Sequence, residues 1–77
     1  SNFDLFINSK TCFIGEVGLS GEIRPVSRLE DRIKESLKMG INTIFISKYS
    51  KIKLSESENC NLFRVSKIQE IIQHLFK

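Results

Sequence analysis

The sequence has little of what most catalytic sites are built from. A single histidine, His74, stands in the whole chain, so no imidazole pair or His-rich metal set can be assembled from it. The two cysteines, Cys12 and Cys60, lack the C-x-x-C spacing of a zinc or redox motif. No Walker A sequence is present, which removes a phosphate-cradling P-loop. None of the many serines sits in a G-x-S-x-G elbow. Apolar runs fall well short of the roughly 20 residues a bilayer span needs. The opening Ser1-Asn2-Phe3-Asp4 has neither the basic flank nor the apolar stretch of a secretion signal. A cytoplasmic location is the expectation, with no membrane contact. The two cysteines are then expected as reduced thiols, because cytosolic proteins rarely keep disulfides.

What is present fits one small domain. At 77 residues, with 40% hydrophobic and 27% charged positions, the chain is too apolar for a disordered segment. The net charge of +3 says little by itself about nucleic acid. Its distribution says more: from Gly40 to Ser55 there are Lys48, Lys51 and Lys53 and no acid.

Along the chain, residues 1–10 read as an irregular but apolar lead-in, with Phe3, Leu5, Phe6 and Ile7. Thr11 to Val17 is rich in β-formers and predicts a strand. Gly18 to Gly21 predicts a turn, and Glu22 to Arg24 a second strand closed by Pro25. Ser27-Arg28-Leu29-Glu30 matches the capping box S-x-x-E, which predicts a helix to about Met39 with Gly40 as its left-handed stop. Leu29, Ile33 and Leu37 form its apolar stripe, while Arg28, Asp31, Arg32 and Glu35 fall on the other side. Asn42 to Ser47 predicts a strand, Lys48 to Asn61 a loop and Leu62 to Val65 a strand. Ser66-Lys67-Ile68-Gln69 is a second capping box, S-x-x-Q. The helix it opens carries Ile68, Ile71, Ile72, Leu75 and Phe76 at full amphipathic spacing. His74, in that helix near the chain end, reads as a surface residue. The expected fold class is α/β (α+β), ordered β-β-α-β-β-α, with both helices on one side of a mixed sheet. The apolar lead-in suggests that something more belongs before Ser1.

No catalytic constellation emerges. The acids Glu22, Glu30, Asp31 and Glu35 have basic neighbours and read as a solvated, charge-paired surface.

The segment Gly15-Glu16-Val17-Gly18-Leu19-Ser20-Gly21-Glu22-Ile23-Arg24-Pro25-Val26-Ser27-Arg28-Leu29-Glu30 resembles the RadA (Sms) family of bacterial DNA repair proteins. That family carries G-E-[VI]-G-L-x-G-E-[VI]-R-x-V-x-R-[IL]-E at this point. Asp31 to Glu35, Lys38-Met39-Gly40 and Ile44 to Tyr49 resemble the helix, strand and lysine that follow. The resemblance is weakest between Lys51 and Asn61. It implies that residues 1–77 are the C-terminal portion of a Lon-protease-like domain, a single partial domain. The same block is similar, more distantly, to the proteolytic domain of Lon, whose G-x-[VI]-x-P-[VI]-G-G-[LI]-K segment supplies the lysine of a serine-lysine dyad. Aligned on Gly21 and Pro25, the lysine position holds Glu30, and a carboxylate cannot replace that amine base. The segment that would carry the serine is not in this chain. The resemblance therefore implies no peptidase activity here.

For the parent protein the resemblance implies a zinc ribbon, a RecA-like ATPase using ATP and magnesium, a hexameric ring and branch migration of recombination intermediates. None of the zinc or ATP residues falls in this chain. The implied partners are single-stranded or branched DNA, neighbouring subunits and a RecA-type recombinase. Two roles follow for these residues. In one, Arg24, Arg28 and Arg32, with Lys48 and Lys51, contact DNA phosphates. In the other, the same arginines pair with acids such as Glu22, Asp31 and Glu35, and the domain is an oligomerisation scaffold.

Overall fold

A computed structural model describes residues 2–52 and 60–76. Part of the loop expected from Lys48 to Asn61, including Lys53, lies outside the described residues. The elements are β1 (Asn2–Phe6), β2 (Thr11–Val17), β3 (Ile23–Arg24), α1 (Leu29–Lys38), β4 (Thr43–Ser47), β5 (Asn61–Val65) and α2 (Ile68–Leu75). The β-β-α-β-β-α order is therefore present with one strand added in front. The lead-in expected to be irregular is β1, antiparallel to β2 with Phe6 opposite Cys12. Asn2-Phe3-Asp4-Leu5 alternates polar and apolar residues, a short strand signal that pairing with β2 completes.

The sheet is mixed. Its order is β1-β2-β4-β5, with β3 attached to β2. β2, β4 and β5 are parallel to one another, while β1 and β3 run antiparallel to β2. The connection from β2 to its parallel neighbour β4 contains α1, as a parallel crossover requires.

Strand alternation divides the core between two faces. Cys12, Ile14, Ile44 and Ile46 point to one face, where Leu29 and Ile33 of α1 cover them, with Leu37 and Leu62 packed alongside. Phe13, Ile23, Phe45 and Val65 point to the other, where Ile71 of α2 covers them and Ile68 and Phe63 join. The two helices thus lie on opposite faces, not on one side as expected from the element order. β4 explains why: Ile44, Phe45 and Ile46 are all fully buried, so the central strand needs cover on both faces.

Both ends of α1 are defined. At its C-terminus Gly40 has φ +93°, its amide donates to the Leu37 carbonyl, and the Ile41 amide donates to the Ser36 carbonyl. This is a Schellman stop with Ile41 buried behind it, as the sequence predicts. The N-terminus differs from expectation. The N-cap is Arg28, not Ser27, and Arg28 lies in the left-handed region at φ 58°, ψ 36° with no side-chain cap. Ser27 and Glu30 therefore form no capping box. Helical geometry starts one residue later than that motif needs, and Glu30 falls at the second helical position instead of the third.

The second box is also shifted. Ser66 donates through its amide and its hydroxyl to the Glu70 carboxylate, at 2.8 and 2.9 Å, and Gln69 takes no part in this cap. The first helical amide of α2, that of Ile68, donates to the Gly21 carbonyl in the β2–β3 turn. That turn therefore docks directly onto the start of α2.

His74 corrects the surface reading. Its ring meets Phe63 edge-on at 4.4 Å and Phe45 at 5.3 Å, and the two phenylalanines stack at 5.4 Å. The predicted stripe of α2 is buried only in part: Ile71 is covered, whereas Ile72, Leu75 and Phe76 are exposed.

Candidate nucleic-acid interface

The cationic side chains singled out by sequence are distributed around the N-terminus of α1 and the ends of β3 and β4. Arg24 ends β3. Its guanidinium donates to Glu22 at 2.8 Å and lies 3.8 Å from Glu16, its cross-strand partner. Glu22 also accepts the Ser20 amide and hydroxyl. The Arg24 hydrogen bond, with help from the Glu22 backbone and Ser20, holds the Glu22 carboxyl down to about 2 from its ordinary 4.5. Arg24 is thus committed to an ion pair that organises the β2–β3 turn.

Arg28 is more available. Its side chain is 80% exposed, and it pairs with Asp31, three residues along the chain, at 3.2 Å. An exposed pair of this kind contributes little stability. Arg28 borders a shallow groove on the helix face together with Asp31, Arg32 and Glu35. It also lines a cleft of about 360 Å³ at the helix N-terminus, shared with Pro25, Leu29, Glu30, Ser50 and Lys51. Arg28 is common to the groove that holds Arg32 and to the cleft that holds Lys51, and Glu30, Asp31 and Glu35 line these two depressions as well. Lys48 is placed elsewhere: its ammonium sits 5.3 Å over the Tyr49 ring, and its charge helps Ser66 to lower the Glu70 carboxyl.

The sequence did not point to Ser50. Its relative exposure is 6%, and its hydroxyl is the buried side-chain polar atom without a hydrogen-bond partner among the described residues. Its carbonyl accepts the Arg64 guanidinium at 2.7 Å. Ser47, three residues earlier, is fully buried but satisfied, donating to the Ile23 carbonyl and accepting the Tyr49 amide. The only sequence signal for Ser50 is its place beside Lys51, just after a buried strand.

Among the described residues, no group of three or more His, Cys, Asp or Glu side chains is arranged to hold a metal. Cys12 lies in the core with its thiol donating to the Ser36 hydroxyl at 3.7 Å, and neither cysteine is part of a disulfide. These positions do not fit a zinc ribbon. No described helix is long and apolar enough to cross a membrane.

No protein-family model matches the chain. Curated relatives do. The chain is 39% identical to DNA repair protein RadA of Streptococcus pneumoniae over 69 residues, which is 90% of this chain and 16% of that protein. It is 58% identical to DNA repair protein RadA of Listeria monocytogenes over 40 residues, covering 52% of this chain and 9% of that protein. A similar match, 56% over 39 residues, is made to DNA repair protein RadA of Bacillus subtilis. The chain spans about a sixth or less of the length of these relatives. The sequence relationship places this chain with a segment of the RadA family of DNA repair proteins.

Proposed function

We propose that this chain acts in DNA repair as a non-catalytic, DNA-contacting unit, the C-terminal portion of a Lon-like domain in a RadA-type protein. The observation that carries the reading is the position of exposed Arg28, which borders both the groove with Arg32 and the cleft with Lys51. Guanidinium and ammonium groups on one surface neutralise phosphates without reading sequence, which suits a protein that must act wherever damage occurs. Arg28 adds a second argument. A non-glycine residue in the left-handed region costs about 1–2 kcal/mol, and such strain concentrates at functional positions. Arg24, engaged by two carboxylates, contributes less, and Lys48 belongs to a neighbouring surface. For the parent protein we extend the proposal to the ATP, magnesium and zinc chemistry, the ring and the RecA-type partner that the resemblance implies, the zinc and ATP residues lying outside this chain.

The test is DNA affinity of the intact protein across a salt series, comparing the wild type with Arg28→Glu and Arg32→Glu. We expect weaker binding and a salt slope shallower by about 0.7 for each single-strand phosphate that is no longer neutralised. Unchanged affinity and slope in both variants would remove the DNA reading.

One observation favours the scaffold reading. Ile72, Leu75 and Phe76 leave apolar surface exposed along α2. Charged replacements there that dissociate the intact protein in light scattering, with DNA affinity per chain retained, would assign that face to subunit contact.

A further inference from the structure

We infer that Tyr49 is a stacking platform for one unpaired base of a single-stranded nucleic acid, with Lys48 and Arg64 meeting the phosphates on either side of that base. This deepens the DNA-contact reading and rests on it.

Tyr49 lies in the turn that follows β4, and it is 62% exposed. The turn beneath it is firmly built. The Tyr49 amide donates to the Ser47 hydroxyl at 3.1 Å. That hydroxyl belongs to a fully buried residue and itself donates to the Ile23 carbonyl at 2.9 Å. The Lys48 amide donates to the Val65 carbonyl, and the Ser50 amide to the Ser47 carbonyl. The Ser50 carbonyl accepts Nη1 of Arg64 at 2.7 Å. Residues 48–50 are thus fastened to β4 and β5, and they hold an aromatic ring out in solvent on a rigid base. A ligand that lands on such a ring has little loop ordering left to oppose it.

The charge around the ring selects the ligand. Lys48 precedes the tyrosine and holds its ammonium 5.3 Å from the ring centroid. Arg64 is bound to the residue that follows it. Lys48, Lys51 and Arg64 are exposed, and among the described residues none of them is ion-paired to a carboxylate. The partner of Arg64 is a neutral carbonyl, which leaves its charge uncompensated. Glu70, the acid that the Lys48 charge reaches, is occupied by the Ser66 amide and hydroxyl. Cations therefore outweigh acids around Tyr49, whereas Arg28 at the start of α1 faces Asp31. An aromatic face flanked by cations matches a polyanion that carries flat π-systems along its backbone. Duplex DNA has the phosphates but keeps its bases stacked on one another. An unpaired base is free to lie on the face of the ring that Lys48 leaves open.

The experiment measures binding of the intact protein to a labelled oligothymidylate strand and to a blunt duplex of equal length, by anisotropy across a salt series. The variants are Tyr49→Ala, Tyr49→Phe and Lys48→Gln, beside Arg28→Glu and Arg32→Glu. Tyr49 belongs to neither core cluster, so its replacement leaves the fold in place, and melting temperatures check this. We expect Tyr49→Ala to weaken single-strand binding about tenfold, the effect of one lost base–aromatic stack. Its salt slope and its duplex affinity stay at the wild-type values. Tyr49→Phe binds like the wild type, because stacking needs the ring and not the hydroxyl. Lys48→Gln makes the single-strand slope shallower by about 0.7. Wild-type binding by Tyr49→Ala, with Arg28→Glu still flattening the slope, overturns the platform and leaves the DNA reading standing. Equal losses on strand and duplex, or a Tyr49→Phe variant as weak as Tyr49→Ala, overturn the stacking assignment. If no substitution at Tyr49, Lys48, Arg28 or Arg32 changes binding, both readings fail.

Discussion

At the scale of single residues, Arg28 and Glu22 are under opposite kinds of control. Arg28 holds a backbone conformation that glycine adopts without penalty. Arg28→Gly should therefore raise stability by roughly 0.5–1 kcal/mol, the left-handed strain being partly offset by glycine's entropy in the unfolded chain. DNA affinity should fall in the same variant. Chemical denaturation and anisotropy on one preparation check both halves. A fall in stability would mean that the exposed Arg28–Asp31 pair outweighs the strain. Glu22 is instead stabilised as a carboxylate, chiefly by Arg24, down to about 2 from an unfolded value near 4.5. A depressed carboxyl contributes stability that is fully present above the unfolded value and disappears as pH falls through the folded one. Glu22→Gln should therefore melt below the wild type near neutral pH, and the gap should close as pH falls from about 4.5 to about 2. A gap that stays constant across that window would assign the effect to something other than ionisation. The sequence did pair Arg24 with Glu22 as one of two readings. It could not show Ser50 as an orphan, because that depends on where β3, β4 and α1 meet.

At the scale of elements, the helices were legible and their caps were not. Periodicity placed α1 and α2 within a residue or two, and Gly40 stopped α1 as expected. The capping boxes failed because both motifs lie near helix starts whose register is set by tertiary contacts. In α2 the Gly21 carbonyl takes the Ile68 amide, which fixes the first turn and leaves Glu70, not Gln69, within reach of Ser66. The backbone and hydroxyl of Ser66 lower the Glu70 carboxyl, as expected for an anion held by donors. Glu70→Ala should then lower the denaturant midpoint, because the Ser66 amide and hydroxyl lose their acceptor, while Gln69→Ala should be close to neutral. Denaturant midpoints of the two variants decide between the boxes. Equal midpoints, or the larger drop at Gln69, would restore the sequence reading. The turn is tied to the same junction. A methyl group at Gly18 would meet the Glu22 carboxylate, which would have to turn aside from its place beside Ser20 and Arg24.

At the scale of the whole molecule, the sheet is the wall shared by two cores. The sequence showed apolar strands and amphipathic helices but not which face each helix covers, since a helix stripe says that it is buried and not against what. The alternation within β4 settles it: Ile44 and Ile46 serve the α1 core, and Phe45 serves the α2 core with Phe63 and His74. A domain of this size has a total stability of roughly 4–12 kcal/mol, at about 0.05–0.15 kcal/mol per residue. Phe45→Ala removes the largest fully buried side chain and should cost about 3–5 kcal/mol. Because β4 is common to both faces, that destabilisation should not stay on the α2 side. Amide hydrogen exchange should show protection falling in α1, on the opposite face, as much as in α2. Retained protection in α1 with α2 exchanging freely would mean that the faces unfold separately. In that case the cleft at the start of α1 would be insulated from the aromatic cluster behind the sheet. With coupled faces, substitutions at Phe45 should weaken DNA binding only as far as they unfold the chain, and the ratio of the two effects would be the same at every temperature.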